Sequence, residues 1–78
     1  MAEPHAAAVD VQDMLCAQAL AVVAQAMGRL GPGGLLSIRY NAEDVRRDLV
    51  AWARDRGHAV EEPTEGFLRM TARPAASP

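Results

Sequence analysis

The sequence predicts an α/β fold, a two-layer sandwich of order β-α-β-α-β-β in which two helices cover one face of a four-stranded mixed sheet. Apolar residues alternate with a period of two in four short segments. In two longer segments they recur every three or four residues, as on the buried face of a helix. Strand–helix–strand connections are right-handed, which places both helices on the same side of the sheet. Seventy-eight residues leave room for one small domain.

The first strand and helix come from the opening part of the chain. Residues 8–12 alternate apolar and polar side chains, which predicts a strand with Val9 and Val11 facing the core. Asp13 stands where a helix N-cap is expected, since its carboxylate can accept from backbone amides of a first turn. The helix predicted after it ends before the turn Pro32-Gly33-Gly34. Its apolar stripe consists of Leu15, Ala19, Val22, Val23, Ala26, Met27 and Leu30.

The second strand and helix repeat this arrangement. Leu36, Ile38 and Tyr40 alternate with polar residues and predict a strand. Asn41 is the second N-cap candidate, with Asp44 placed to return the bond. The helix is expected to stop at Gly57, and its stripe consists of Val45, Leu49, Trp52, Ala53 and Arg56.

The last two strands form a hairpin. His58-Ala59-Val60 begins the third strand, Pro63 to Gly66 is predicted as the turn, and residues 67–72 form the fourth strand. Trp52 is expected to be the largest side chain of the core. The opposite sheet face should be exposed, and it carries Ser37, Arg39, Phe67 and Arg69.

The domain is expected to cover residues 8–73. Residues 1–7 and 74–78 show no apolar period, and two prolines occur among the last five residues, so both ends are predicted to be disordered tails. The beginning of the chain has an acid, Glu3, where a signal peptide would have basic residues. No apolar run reaches the roughly 20 residues that span a bilayer. We therefore expect a cytoplasmic protein with no membrane contact.

Composition excludes several classes of chemistry. The formal net charge is −2, so there is no broad positive field for direct nucleic-acid binding. All eight basic residues are arginines, which excludes a Schiff-base or P-loop lysine. One cysteine and two distant histidines predict neither a disulfide nor a metal site, and nothing predicts a cofactor.

Cys16 is the single candidate nucleophile with a suitable context. It lies where the first strand gives way to the first helix, and unpaired amides and the helix dipole stabilise a thiolate there. Asp13 acts in the opposite direction, because a nearby carboxylate raises a thiol pKa. Free cysteine is also among the most buried residues, so a small packing side chain is the alternative interpretation.

The other polar residues do not indicate a catalytic site. No hydroxyl has a histidine beside it in the sequence to serve as its base. His58 is interpreted as a loop or strand-start histidine. The acidic cluster Glu61, Glu62 and Glu65 is interpreted as a solvated loop. The arginines of the second helix alternate with aspartates, which is typical of local pairing, with docking of an acidic partner as the alternative. They are Arg46, Arg47, Arg54 and Arg56.

Taken in order, these segments resemble the TusA/SirA-like family of small sulfur-carrier proteins from Val9 to Arg73. That family opens with a strand, a short turn and a Cys-Pro-x-Pro motif that begins the first helix. Here Cys16-Ala17-Gln18-Ala19 occupies the place of the motif. The other matches are Leu30-Gly31-Pro32-Gly33, Leu36-Ser37-Ile38, Asp48, Trp52, Gly57-His58, Gly66 and Arg73.

The resemblance implies the same β-α-β-α-β-β fold and a sulfurtransferase role. It implies that Cys16 accepts a sulfane sulfur as a persulfide from a cysteine desulfurase or a rhodanese-like protein. The sulfur would pass to an acceptor protein, in tRNA thiolation, molybdenum cofactor biosynthesis or sulfur oxidation. We expect a monomer, since the predicted elements leave no extra apolar helix face.

The chain departs from the family motif at both prolines, which are replaced by Ala17 and Ala19. Proline at a first helical position determines where a helix starts. Without it the helix is expected to start at Asp13, which would place Cys16 near the third helical position, partly turned inward. A degenerate binding or regulatory module without sulfur transfer is therefore the alternative function.

Overall fold

The computed structural model describes residues 6–73 and contains the six predicted elements in the predicted order. They are β1 (Ala6–Asp10), α1 (Cys16–Leu30), β2 (Leu35–Arg39), α2 (Glu43–Asp55), β3 (Ala59–Thr64) and β4 (Phe67–Thr71). The two helices contact each other and pack against strands of a single sheet. The α/β two-layer sandwich is therefore confirmed.

The strands form one mixed sheet of order β1-β2-β4-β3. β1 runs parallel to β2, and β4 pairs antiparallel with both β2 and β3. Because β1 and β2 are parallel neighbours, the turn after β1 and the loop after β2 lie at the same end of the sheet. This end carries the N-termini of both helices.

The core lies between the sheet and the helix pair. Its inward rows are those predicted from the alternation in β2 and β4, with Leu36, Ile38, Leu68 and Met70 almost fully buried. The helices contribute Ala19, Val23, Met27, Val45, Leu49 and Ala53. The opposite sheet face is exposed, as expected, and there the Arg39 guanidinium lies 5.7 Å from the ring centroid of Phe67.

The predicted place of Trp52 was wrong, because its side chain is half-buried. The indole lies at the margin of the helix layer, where the His58 ring is 5.4 Å away between centroids and the Arg56 guanidinium is 5.6 Å from the indole centroid. An indole keeps part of its edge in water more readily than an aliphatic side chain does. The largest fully buried side chains are instead leucines, Ile38 and Met70.

Two strand boundaries also differ from the predictions. β1 begins at Ala6, so Ala6 and Ala7 of the expected N-terminal tail pair with β2. β3 continues to Thr64 through a bulge between Glu61 and Thr64, and the turn is reduced to Glu65-Gly66. Pro63 is tolerated in β3 because this is an edge strand that need not donate every amide. The rest of both expected tails, residues 1–5 and 74–78, lies outside the described residues.

Candidate functional site

Cys16 is the first residue of α1, and not near the third position as the missing prolines had suggested. Leu15 serves as the N-cap with extended backbone angles of −71° and 157°. A leucine side chain cannot cap a helix, but the Gln18 carboxamide accepts a hydrogen bond from the Leu15 amide at 3.2 Å. This is half of a capping box, and it holds the start of the helix at Cys16.

The turn before Cys16 is held by a contact with the loop after β2. Asp13 has a φ of 64°, the left-handed conformation that Asp and Asn adopt more readily than other non-glycine residues. Its amide donates to Asn41 Oδ1 at 3.0 Å, and Asn41 Nδ2 donates to Asp13 Oδ1 at 2.9 Å. The two residues predicted as separate N-caps therefore bind each other, and neither caps a helix. The N-cap of α2 is Ala42.

Helix α2 places two carboxylates against the thiol. Asp44 and Asp48 are four residues apart and so lie on one face of α2. The Cys16 thiol donates a weak hydrogen bond to Asp44, with Sγ 3.7 Å from Oδ2. The other oxygen of Asp44 accepts the Val45 amide at 2.9 Å, so this carboxylate is held in place.

The pKa of the Cys16 thiol is raised, against the effect of the helix terminus. Hydrogen bonding to Asp48, together with desolvation and the negative charges of Asp44 and Asp48, raises the pKa of the Cys16 thiol to about 11. The first turn of α1 does favour a thiolate, but two carboxylates close to the sulfur outweigh it. Asp13, which had been expected to oppose the thiolate, bonds to Asn41 instead. At neutral pH the thiol of the isolated protein is protonated.

The thiol is nevertheless at the surface. Cys16 is half-buried, while the preceding Leu15 is 74% exposed, the largest exposure of any big apolar side chain among residues 6–73. Asp44 and Asp48 are exposed as well. Cys16 is therefore neither sealed in the core nor a free thiolate, and it sits between one apolar and two acidic side chains that another protein could contact.

The other predicted residues do not converge on Cys16. His58 lies just before β3, where its Nδ1 accepts the Arg73 amide at 2.9 Å. Glu61 pairs with Arg69 across the hairpin at 3.6 Å. Glu62 accepts the hydroxyl of Tyr40 and lies 3.5 Å from Arg46. Glu61 and Glu62 are thus paired within the sheet and with α2 and do not form an acid–base pair.

The second helix pairs its charges only in part as predicted. Arg46 binds Glu43 one turn away, and Arg56 lies 3.9 Å from the neighbouring Asp55. Asp44 and Asp48, which had been assigned to such local pairs, face Cys16 instead. Their i,i+4 spacing was visible in the sequence. Their approach to a thiol on the other helix depends on the packing of α2 beside α1.

Neither helix of residues 6–73 is long and apolar enough to cross a membrane. Within the same residues, no three His, Cys, Asp or Glu side chains come together as metal ligands would.

Comparison with known proteins identifies the family. No curated protein and no solved structure gives a significant match to the chain. A family model described as "Sulfurtransferase TusA" matches residues 7–73, which includes every helix and all but the first residue of the sheet. Proteins of this family act in sulfur transfer. The chain belongs to the TusA sulfurtransferase family.

Proposed function

We propose that this protein is a sulfur carrier that holds a persulfide on Cys16 and relays the outer sulfur between partner proteins. The observation that carries the proposal is the position of the single cysteine, which is the first residue of α1 and reaches the surface. Family membership supplies the general role in sulfur transfer. The half-buried Cys16 thiol at the start of α1 supplies the sulfur atom that can carry out this transfer.

The transfer is a thiol–persulfide exchange with no net oxidation. The Cys16 thiolate attacks the outer sulfur of a donor persulfide, a new S–S bond forms at Cys16, and the donor S–S bond breaks. The donor cysteine leaves as a thiolate and takes up the proton that Cys16 lost. In the second half, an acceptor thiolate attacks the outer sulfur, and Cys16 leaves as a thiolate. A cysteine desulfurase or a rhodanese-like protein fits the donor role.

Asp48 and Asp44 make this exchange depend on the partner. A pKa of about 11 leaves very little thiolate in the free protein at neutral pH. Arginine or lysine side chains of a docked partner would pair with the two carboxylates, and the pKa of Cys16 would fall as their charge is compensated. The exposed Leu15 offers apolar contact area beside the sulfur. The partner surface proposed here is therefore basic, with an apolar centre.

The same carboxylates favour a second candidate, a binding or regulatory module in which Cys16 never carries sulfur. A thiol that donates to Asp44 and has a raised pKa resembles a hydrogen-bond donor more than a nucleophile. In this case a basic partner would bind the Asp44–Asp48 face, and replacing Cys16 by serine would leave binding unchanged.

Intact mass spectrometry distinguishes the two functions. The protein is incubated with a cysteine desulfurase and cysteine, or with polysulfide alone, and the gain of one sulfur atom is followed in time. We expect loading that is lost in Cys16→Ser, and loading by the protein donor that is faster than loading by polysulfide. In Asp44→Asn/Asp48→Asn, loading by polysulfide should accelerate because the thiol ionises more readily.

The matched control is Asp55→Asn, which removes an exposed carboxylate from the other end of α2 and should load as the unmodified protein does. Failure of both the unmodified protein and Asp44→Asn/Asp48→Asn to gain sulfur from either donor would support the binding module. Equal loading of Cys16→Ser would contradict both the carrier proposal and the role given to the sulfur.

A further inference from the structure

A cleft lies at the end of the helix pair opposite to Cys16. It has a volume of about 350 Å³ and is bordered on α1 by Ala24, Met27 and Gly28. At a rise of about 1.5 Å per residue, these positions lie roughly 12–18 Å along the helix from Cys16. The volume falls within the range of small-molecule pockets, about 300–1,000 Å³. Nothing in the exchange described above uses this cleft.

The cleft is lined by apolar side chains and by cationic side chains that lie close to one another. Ala24, Met27 and the half-buried indole of Trp52 form the apolar part of the lining. Arg56 and Arg73 are the cationic residues of the lining, and the Arg56 guanidinium lies 5.6 Å from the indole centroid of Trp52. The arrangement matches a ligand with an apolar body and a negatively charged group.

The two cations are only partly neutralised within residues 6–73. Asp55 is the one carboxylate at the cleft, and its Oδ2 lies 3.9 Å from Arg56 Nε, at the limit of an ion pair. Both members of this pair are more than half exposed, so it contributes little. Arg73 has no carboxylate within 4 Å in the described part of the chain. One net positive charge therefore remains at the cleft for a ligand.

His58 adds a donor to the cationic part of the lining. Its Nδ1 accepts the backbone amide of Arg73 at 2.9 Å, so the neutral ring carries its proton on Nε2. Burial, and then the charges of Arg73 and Arg56, lower the pKa of His58, which keeps it neutral at pH 7. A neutral imidazole with its proton on Nε2 can donate to an anionic oxygen without adding charge.

Two glycines adjoin the lining of the cleft. Gly57 has a φ of 80°, and a Cβ there would lie 3.1 Å from Arg73 Cδ, so glycine lets the arginine stem pass over the turn. Gly28 lies within α1, where glycine lowers helix stability relative to alanine. A Cβ at Gly28 would meet no atom within 4 Å. Gly28 therefore leaves open space on the α1 side of the cleft.

We propose that this cleft, which is lined by the apolar residues Ala24, Met27 and Trp52 and by Arg56, His58 and Arg73, binds a small organic anion. The ligand class is a carboxylate, phosphate or sulfonate joined to an apolar body. The guanidinium groups and the Nε2–H of His58 meet the anionic oxygens, and the apolar body lies against Trp52 and Met27. This site is independent of Cys16.

Ligand binding can be measured by the fluorescence of Trp52, because it is the single tryptophan of the chain. Its fluorescence is followed while benzoate, phenyl phosphate or benzenesulfonate is added to the full-length protein, with benzyl alcohol as the uncharged analogue and inorganic phosphate as the anion without an apolar body. We expect a saturable change with at least one organic anion and none with benzyl alcohol. Inorganic phosphate should bind at least about tenfold more weakly, since it lacks the contact with the apolar side chains of the lining.

Binding by variant proteins tests whether the organic anion lies in this cleft. Arg73→Gln and Arg56→Gln should each weaken binding about tenfold, the size expected for one charged hydrogen bond. Arg47→Gln, which removes an exposed cation of α2, should leave binding of the organic anion unchanged. Gly28→Leu should abolish binding by filling the cleft, while circular dichroism and the melting temperature report that the domain is folded. Cys16→Ser should bind normally, which separates this proposal from the sulfur-carrier function.

Three results would overturn the proposal. One is binding of benzyl alcohol as tight as that of the organic anions. Another is full binding by folded Gly28→Leu. The third is equal weakening by Arg47→Gln and Arg73→Gln, since this would mean a diffuse charge effect rather than a site.

Discussion

Asp13 and Asn41 exchange two hydrogen bonds between the turn that follows β1 and the loop that follows β2. Both bonds are about 3 Å long, and they join residues 28 positions apart. Each residue precedes a helix, so the pair ties the start of α1 to the start of α2. Cys16 on one helix and Asp44 on the other are thereby held within contact distance.

Loss of this tie should destabilise the domain. Asp13→Ala removes the carboxylate and places alanine at a φ of 64°, where a Cβ is strained by about 1–2 kcal/mol. Together with a lost hydrogen bond we expect a decrease of about 1–3 kcal/mol in the free energy of unfolding. Urea unfolding followed by Trp52 fluorescence measures it. Asp13→Asn keeps both the backbone preference and the acceptor, and it should stay within about 0.5 kcal/mol of the parent protein.

Removing the carboxylates beside Cys16 should make the thiol more reactive. In the parent protein the rate of alkylation by iodoacetamide should rise with pH toward an inflection near 11. Asp48→Asn should shift that inflection downward, and Asp44→Asn/Asp48→Asn should shift it further. Recovery of the ordinary value of 9.0 would increase alkylation at pH 7 by about a hundredfold.

The control for this experiment is Asp55→Asn, since Asp55 belongs to the same helix but is no cause of the Cys16 shift. Its alkylation profile should overlay that of the parent protein. An inflection that remains near 11 in Asp44→Asn/Asp48→Asn would mean that burial, and not the two aspartates, determines the reactivity of Cys16.

His58 should make stability fall in mildly acidic solution. The pKa of His58 in the folded protein lies below its ordinary 6.5, chiefly because of burial. Between the two values the unfolded chain binds more protons, so the free energy of unfolding rises with pH there. The contribution is fully present above pH 6.5 and is lost as the pH falls through the lowered pKa.

Urea unfolding between pH 5 and 8 tests this dependence. His58→Asn supplies an amide oxygen that can accept from the Arg73 backbone but cannot titrate. The variant should lose the part of the pH dependence that begins at 6.5. An identical slope in both proteins would assign that dependence to other groups.

Gly28→Ala should stabilise the domain. The added methyl group meets no atom within 4 Å, and alanine gains up to about 1 kcal/mol over glycine within a helix. Gly34→Ala is the opposite case, because a Cβ there would lie 2.6 Å from Leu30 Cβ and must displace it. Melting temperatures of the two variants should move in opposite directions, and a fall for Gly28→Ala would mean that the wall of the cleft is packed more tightly than the structure has it.

The fold could be predicted because its signals are local. Apolar periods of two and about 3.6 gave six elements, their order and the buried rows of Leu36, Ile38, Leu68 and Met70. The errors occurred where a distant residue decided the outcome. Asn41 and Asp13 satisfied each other and capped neither helix.

The candidate site could be predicted only as far as its sulfur. The neighbouring sequence places Cys16 within the opening turn of a helix, and the effect of a helix terminus on a thiol is general. The same sequence does not predict that Cys16 is the first residue of α1, because the Asp13–Asn41 contact helps to determine that position. The pKa of the Cys16 thiol depends on Asp48 and Asp44. The packing of α2 against α1 determines how close these two carboxylates lie to the sulfur. The spacing of these residues in the sequence does not predict their contact with Cys16.

The start of α1 at Cys16 has a consequence for how related chains can be recognised. Ala17 and Ala19 replace the two prolines of the family motif, yet the helix still begins at the cysteine. Gln18 and the Asp13–Asn41 pair provide a different means of determining that position. A search pattern that demands prolines at these two positions would discard this chain.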